Sequence, residues 1–282
     1  MKRWSWLLVL TLGIHLTAWS GFVHGQEVDA GELARKMQNP LSELRALATQ
    51  TVFGFNTGDD KGTSINFQLL PIYAIPLRKI ETIIIPRAVV PFVGVEPGSR
   101  GRYLGVDGEP VPPGAARYSG VGDVTAQLFI APPVRGRFKW GIGPQVSMPT
   151  RSRPELAGPG WGAGATFIMV GSVTDDLSLV WFVNNHWGFD GKFSVLTIQP
   201  SVIYNFKAVP GLYVAYNGEI TADWKAEPKN RWTVPLGLMI GKTFSLGQGW
   251  ALDAQLGPYY QYPRPEGAAD WTVRFVLGVG KP

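Results

Sequence analysis

Cysteine is absent from the 282-residue chain, which excludes thiol catalysis, thiolate zinc sites, iron–sulfur clusters and any disulfide staple. Charge is sparse as well: Asp, Glu, Lys and Arg together make up 17% of the residues, a poor basis for a helical bundle. The formal net charge of +5 is spread singly along the chain. No run of Lys and Arg is interleaved with stacking aromatics, so a nucleic-acid partner is not expected despite a pI near 9.4. Histidine is nearly missing: beyond residue 25 only His186 remains. Carboxylates sit on separate segments, so no metal-ligand spacing and no cofactor motif is recognisable.

What is plentiful is glycine (35), proline (23) and aromatic side chains (12%), the composition of many short strands joined by tight turns. Lys2 and Arg3 followed by the apolar run 4–19 and the small residues Val23 and Gly25 read as an export signal, with cleavage expected after Gly25. Residues 26–48 read as a periplasmic lead-in with helix-friendly pieces at 32–37 and 41–47, interrupted by Asn39 and Pro40. An exported chain without cysteine suits a β-barrel, which satisfies its backbone around a closed ring and needs no staple.

Residues 49–282 show alternation of period two. Ile65, Phe67 and Leu69 alternate with Ser64, Asn66 and Gln68; Leu252, Ala254 and Leu256 with Asp253 and Gln255; Trp271, Val273, Phe275, Leu277 and Val279 with Thr272, Arg274 and Gly278. Such segments fit strands with one face in lipid and the other in a lumen, and tryptophans near their ends fit interfacial girdles. Connections alternate between short and long, the longest at 94–119 reading as a lid, and give an all-β, closed, antiparallel, up-and-down outer-membrane barrel of about twelve strands. Prolines inside strand segments (Pro71, Pro86, Pro91, Pro144, Pro200, Pro235, Pro258) each remove a ladder donor, and the sequence offers no account of their number.

Charged side chains facing lipid are costly, so alternation assigns Arg87, Gln127, Asn184, His186, Gln199, Glu219, Asp223, Arg231, Asp253, Gln255 and Arg274 to the lumen. Their mixed signs suggest an ion-paired network, read either as a structural lock or as the lining of a solute path. The Tyr259, Tyr260 and Tyr262 cluster reads first as an outer girdle and second as a landing surface for an aromatic solute, and Asp59 and Asp60 in GDDKG as an exposed turn rather than a calcium site.

The strings LARKMQNPLSEL, GVGDVTAQLFIAP, KWGIGPQVSMPT, GPGWGAGATF, VNNHWGF, IQPSVIYNF, NRWTVPLGLMIGKTF and GPYYQYPRPEGAADWTVRF follow one another along nearly the whole exported chain. In order and spacing they resemble the outer-membrane transporter family named after the meta-pathway of phenol degradation, whose members are often labelled transporter or neuromedin U. The resemblance implies a barrel associated with uptake of aromatic or poorly soluble compounds. Two positions depart from the family pattern: His186 stands where Gln is expected, and Pro282 where an aromatic terminal residue is common, Phe275 being the nearest.

A barrel hydrolase needs a serine and a base together. The serine that alternation places on the face of His186, Ser178, lies too far along the strand to touch the imidazole, so no catalytic residue is assigned. The leading expectation is a passive outer-membrane channel or transporter for small compounds, hydrophobic or aromatic ones among them. Its partners would be outer-membrane lipid and lipopolysaccharide, a small-molecule solute, and the barrel-assembly machinery during insertion. A closed structural or partner-binding barrel comes second and a barrel hydrolase third.

Overall fold

The computed structural model describes residues 29–281 apart from 59–60, 96, 98–99, 104–105, 113, 134–136 and 157. The export segment, residues 26–28, Asp59, Asp60 and Pro282 lie outside the described residues. The chain opens with helix α1 (Ala30–Met37). Asp29 caps it by accepting the Gly31 N–H, Glu32 pairs with Lys36 one turn on at 2.8 Å, and Arg35 and Lys36 occupy the negative end of its dipole. No helix among the described residues is long and apolar enough to cross a membrane.

Twelve strands follow. They are β1 (Arg45–Thr57), β2 (Gly62–Tyr73, continued by Ile75–Leu77), β3 (Thr82–Val95) and β4 (Tyr118–Val121, continued by Val124–Ala131). Next come β5 (Phe138–Met148), β6 (Gly162–Ser172), β7 (Leu177–Gly188) and β8 (Ser194–Asn205). The last four are β9 (Leu212–Tyr216 and Ile220–Asp223), β10 (Trp232–Thr233, Pro235–Gly237 and Met239–Gly247), β11 (Trp250–Gln261) and β12 (Trp271–Lys281). Each pairs antiparallel with the next, and β12 returns to β1 over eleven residues, from Arg45↔Lys281 to Phe55↔Trp271. The ring is therefore closed, without an unpaired edge.

The first strand begins at Arg45, so residues 45–48 belong to the barrel and not to the lead-in, and 41–47 is not helical. The small Ala46 and Ala48 pair with Gly280 and Gly278 of β12, a fit that draws these residues into the ladder. The lead-in also does not hang below the barrel: α1 lies against β10 and β11, and Leu41 is buried in a core made by the inner faces of the strands.

Alternation sorts the two faces. On β11, Asp253, Gln255, Tyr259 and Gln261 turn inward, whereas Trp250 and Leu256 stay 43% and 50% exposed on the outside. A separate hairpin (Arg100–Tyr103 with Val106–Pro110) stands outside the ring within the long connection between β3 and β4. Val111, from the same connection, packs with Val93, Val95 and Leu156 into a small second core at the long-loop end.

The wall is irregular where proline interrupts it. Between β4 and β5 the register runs from Val124↔Met148 to Gln127↔Gln145 and resumes only at Ile130↔Ile142. Pro144 occupies the gap, and beside it a Cβ at Gly143 would sit 1.6 Å from the Leu128 carbonyl oxygen, so only glycine fits that approach.

Candidate functional site

The interior is layered. At the long-loop end a vestibule of about 250 Å³ is lined by Asn66, Gln68, Glu219, Asp223, Arg231, Gln261 and Arg274, among others. Below it a cavity of about 60 Å³ is lined by Gln68, Arg87, Thr125, Gln127, Gln145, Asn184, His186, Gln199 and Glu219. Gln68 and Glu219 border both spaces, which makes the two continuous in outline. Toward the short turns the bore is filled: Ile85, Phe129, Ile168, Val180, Phe182, Ile203 and Tyr213 form an apolar layer around Leu41.

These positions follow from strand parity. Gln127, Gln145 and Asn184 come from β4, β5 and β7, and their amides form one chain. Gln127 Nε2 donates to Gln145 Oε1, and Gln145 Nε2 donates to Asn184 Oδ1, each at 3.0 Å. His186, two residues along the same face, is 2% exposed and its ring sits 5.4 Å from that of Phe193. Arg87 spans from β3 to the face of Phe182, its guanidinium carbon 5.6 Å from the ring centre. On the cavity lining, Thr125 Oγ1, Gln127 Oε1 and His186 Nε2 are buried without a hydrogen-bond partner. Orphaned polar atoms around a cavity call for water or for a hydrogen-bonding guest.

A second cluster lies on the opposite wall. Asp253 of β11 accepts from Tyr213 Oη at 2.8 and 2.9 Å, from Thr243 Oγ1 at 2.6 Å and from Gln255 Nε2 at 2.8 Å. Four acceptor contacts compensate the desolvation of one carboxylate. Arg274 of β12 donates to the Asn217 carbonyl at 2.6 Å and lies over the Tyr259 ring, and Gln199 donates to Asn217 Oδ1 at 2.8 Å. At the rim Asp223 accepts the Lys225 N–H, and Arg231 stands over the Trp224 ring. The expected ion-paired network is thus corrected for Asp253, Arg274 and Arg231. Neutral donors, a backbone carbonyl and ring faces hold these charges, because uncharged groups satisfy a buried ion with less desolvation than a second ion demands.

The residues missed in the sequence are Tyr213, Gln145 and Asn217. Tyr213 and Gln145 are inward by the same parity, but Tyr213 sits in an aromatic-rich stretch and Gln145 beside a proline, which hid the period. The tyrosine cluster also divides: Tyr259 is buried inside, while Tyr260 and Tyr262 stack with each other on the outside. No group of three or more His, Asp or Glu among the described residues could hold a metal ion. Among the described residues no serine or carboxylate partners the ring of His186.

No family model and no curated protein matches the chain. Among solved structures it is similar to an outer membrane channel from Pseudomonas putida F1, with a TM-score of 0.57 and 13% identity over 84% of this chain and 94% of that one. The barrel has the fold of an outer-membrane channel. Two further structures overlap more loosely. They are a KdgM porin (TM-score 0.44, 11% identity, 84% of this chain and 98% of that one) and the CymD monoaromatic hydrocarbon channel (0.42, 8%, 93% and 94%).

Proposed function

We propose that the chain is a bacterial outer-membrane channel for small compounds, closed toward the periplasm by its own N-terminal segment. The observation that carries this reading is the nature of the closure. The vestibule and mid-lumen cavity are already open space, and what blocks the remainder is a tethered segment together with side chains. That segment is held by Leu41 in the apolar layer and by a reciprocal amide pair, Gln38 Nε2 to Asn205 Oδ1 at 3.0 Å and Asn205 Nδ2 to Gln38 Oε1 at 3.1 Å. These contacts, with the buried Leu33 and Ala34 of α1, are non-covalent, so their release is a feasible opening step.

The long loops then face outward and the short turns face the periplasm, with lipopolysaccharide around the upper wall and the assembly machinery inserting the barrel. Arg87, Gln127, Asn184, His186, Gln199, Glu219, Asp223, Arg231, Asp253, Gln255 and Arg274 line the solute path. The mixture of an amide chain, aromatic faces and an apolar lower layer suits small, weakly polar or aromatic compounds better than sugars or ions. The sequence resemblance to the phenol meta-pathway transporters points the same way.

Planar-bilayer recording and liposome swelling test the reading. The full chain should show brief, low conductance, and deletion of residues 29–42 or Leu41→Asp should raise it severalfold. After subtraction of the rate in protein-free liposomes, swelling should be faster with small aromatic alcohols than with sugars of similar mass. A folded deletion variant that stays silent to ions and to every solute would favour the second reading, a closed partner-binding barrel, for which the apolar filling of the lower bore speaks.

A further inference from the structure

On the outer wall, strands β1 to β5, with Trp250 of β11 and Val279 of β12, border a groove of about 950 Å³, which shares Arg87, Gln127 and Gln145 with the lumen cavity on the other side of the wall. Its floor follows the register. Leu47 pairs with Pro71, the neighbouring pair Ile72↔Arg87 sets Pro71 opposite Ala88, Ala88 pairs with Ala126, and Ala126 pairs with Val146. One row below, Arg45 pairs with Tyr73 and Pro86 with Leu128. Alanine and proline therefore make a depression between bulkier neighbours. From Leu47 to Val146 this row crosses four strand spacings, roughly 19 Å, the reach of one extended acyl chain, and Val279 and Trp250 continue the groove past β1.

The groove is apolar along its floor but carries a cation at one end. Arg45, exposed at the short-turn rim, rests its guanidinium 4.7 Å from the centre of the Tyr73 ring. Arg78 and Lys79 are exposed on the turn that follows β2, so this sector sets three cations against Glu43 and Glu81. An apolar trough that ends on an Arg paired with an aromatic is complementary to a molecule with a hydrocarbon tail and an anionic head.

We propose that this groove is a binding site for one anionic phospholipid of the periplasmic leaflet, its phosphate on Arg45 and one acyl chain laid over Ala88 and Ala126. The proposal rests on the membrane placement given above. The lipid would fill the wall where proline has removed ladder bonds, supplying the packing that regular strands supply elsewhere.

The test is retention of phosphatidylglycerol by the detergent-purified barrel, read by native mass spectrometry, with phosphatidylethanolamine as the competing probe. The wild-type chain should retain one phosphatidylglycerol in preference to phosphatidylethanolamine. Arg45→Gln should weaken retention about fivefold, the effect of one basic residue at a charged lipid surface. Ala126→Trp, which fills the trough, should abolish it, and Ala88→Leu serves as a milder filling variant should the Trp variant fail to fold. Equal retention of the two lipids, or unchanged retention in Arg45→Gln and in the folded filling variant, would overturn the proposal. Conductance does not enter this readout, so a silent channel with a retained lipid overturns only the channel reading, and a conducting barrel without lipid preference overturns only this one.

Discussion

Asn217 shows how one residue repairs an opening in the wall. The register of β8 with β9 stops at Val202↔Tyr216 and resumes at Ile198↔Ile220, leaving 217–219 without ladder partners. Asn217 turns this loss inward: its N–H donates to Tyr259 Oη at 3.3 Å, its carbonyl accepts Arg274, and its amide oxygen accepts from Gln199 and from Ser201 Oγ at 2.9 Å. Asn217→Ala keeps the backbone bonds and removes only the side-chain bridge, so it should cost about 1–2 kcal/mol. Asp253→Ala strands two buried donors, Tyr213 and Thr243, and the half-buried Gln255 at once and should cost about 3 kcal/mol or more. Denaturant midpoints of the two variants in detergent micelles check the order, and equal midpoints would contradict it. Asp253 was legible from alternation, because a carboxylate between Leu252 and Ala254 has only one affordable direction. Asn217 was not, since its importance comes from a break in pairing that no local pattern announces.

At the scale of elements, the connections carry the structure that the strands do not. Asp123, fully buried where β4 is interrupted, accepts the backbone N–H groups of Arg151 at 3.0 Å and Gly160 at 2.6 Å, and the Arg151 guanidinium at 3.4 Å. One carboxylate thereby pins the β5–β6 connection onto β4, with Leu156 inserted into the small core beside Val111. Asp123→Ala should release this connection while leaving the ring closed. Limited trypsin digestion should then cut after Arg151 at least tenfold faster than in the wild-type chain, with the heat-resistant mobility of the barrel on gels unchanged; Arg153, followed by Pro154, is no trypsin site. Protection equal to wild type would show that Leu156 and the backbone bond from Ser152 to Val121 hold the loop without the carboxylate. The helical piece at 32–37 and the break at Asn39 and Pro40 were legible from helix-friendly residues and proline chemistry, but the helix starts two residues earlier at Ala30, 41–47 is not helical, and the place of the segment was not legible. An amphipathic stretch states that it has a partner face, and only the closed ring shows that this face lies inside the bore.

For the whole molecule, the decisive quantity is which medium wets the outer face. Alternation, short and long connections and rim tryptophans were enough to read twelve strands and their closure, because a two-residue period constrains every side chain at once. Of the prolines read inside strand segments, the register groups Pro71, Pro86 and Pro144 where ladders lapse on one sector of the wall. The outer face can be tested at a single position. Leu256, half exposed near the middle of β11 and flanked by the inward Gln255, faces outward. In a water-soluble barrel Leu256→Arg would be near neutral, since surface substitutions away from special features stay within about 0.5 kcal/mol. In a bilayer the same change places a guanidinium at the hydrocarbon midplane and should cost about 2–4 kcal/mol. Reversible unfolding in phospholipid vesicles measures the difference directly. A cost below about 1 kcal/mol there would place water, not lipid, against the wall, and the membrane channel would fall with it.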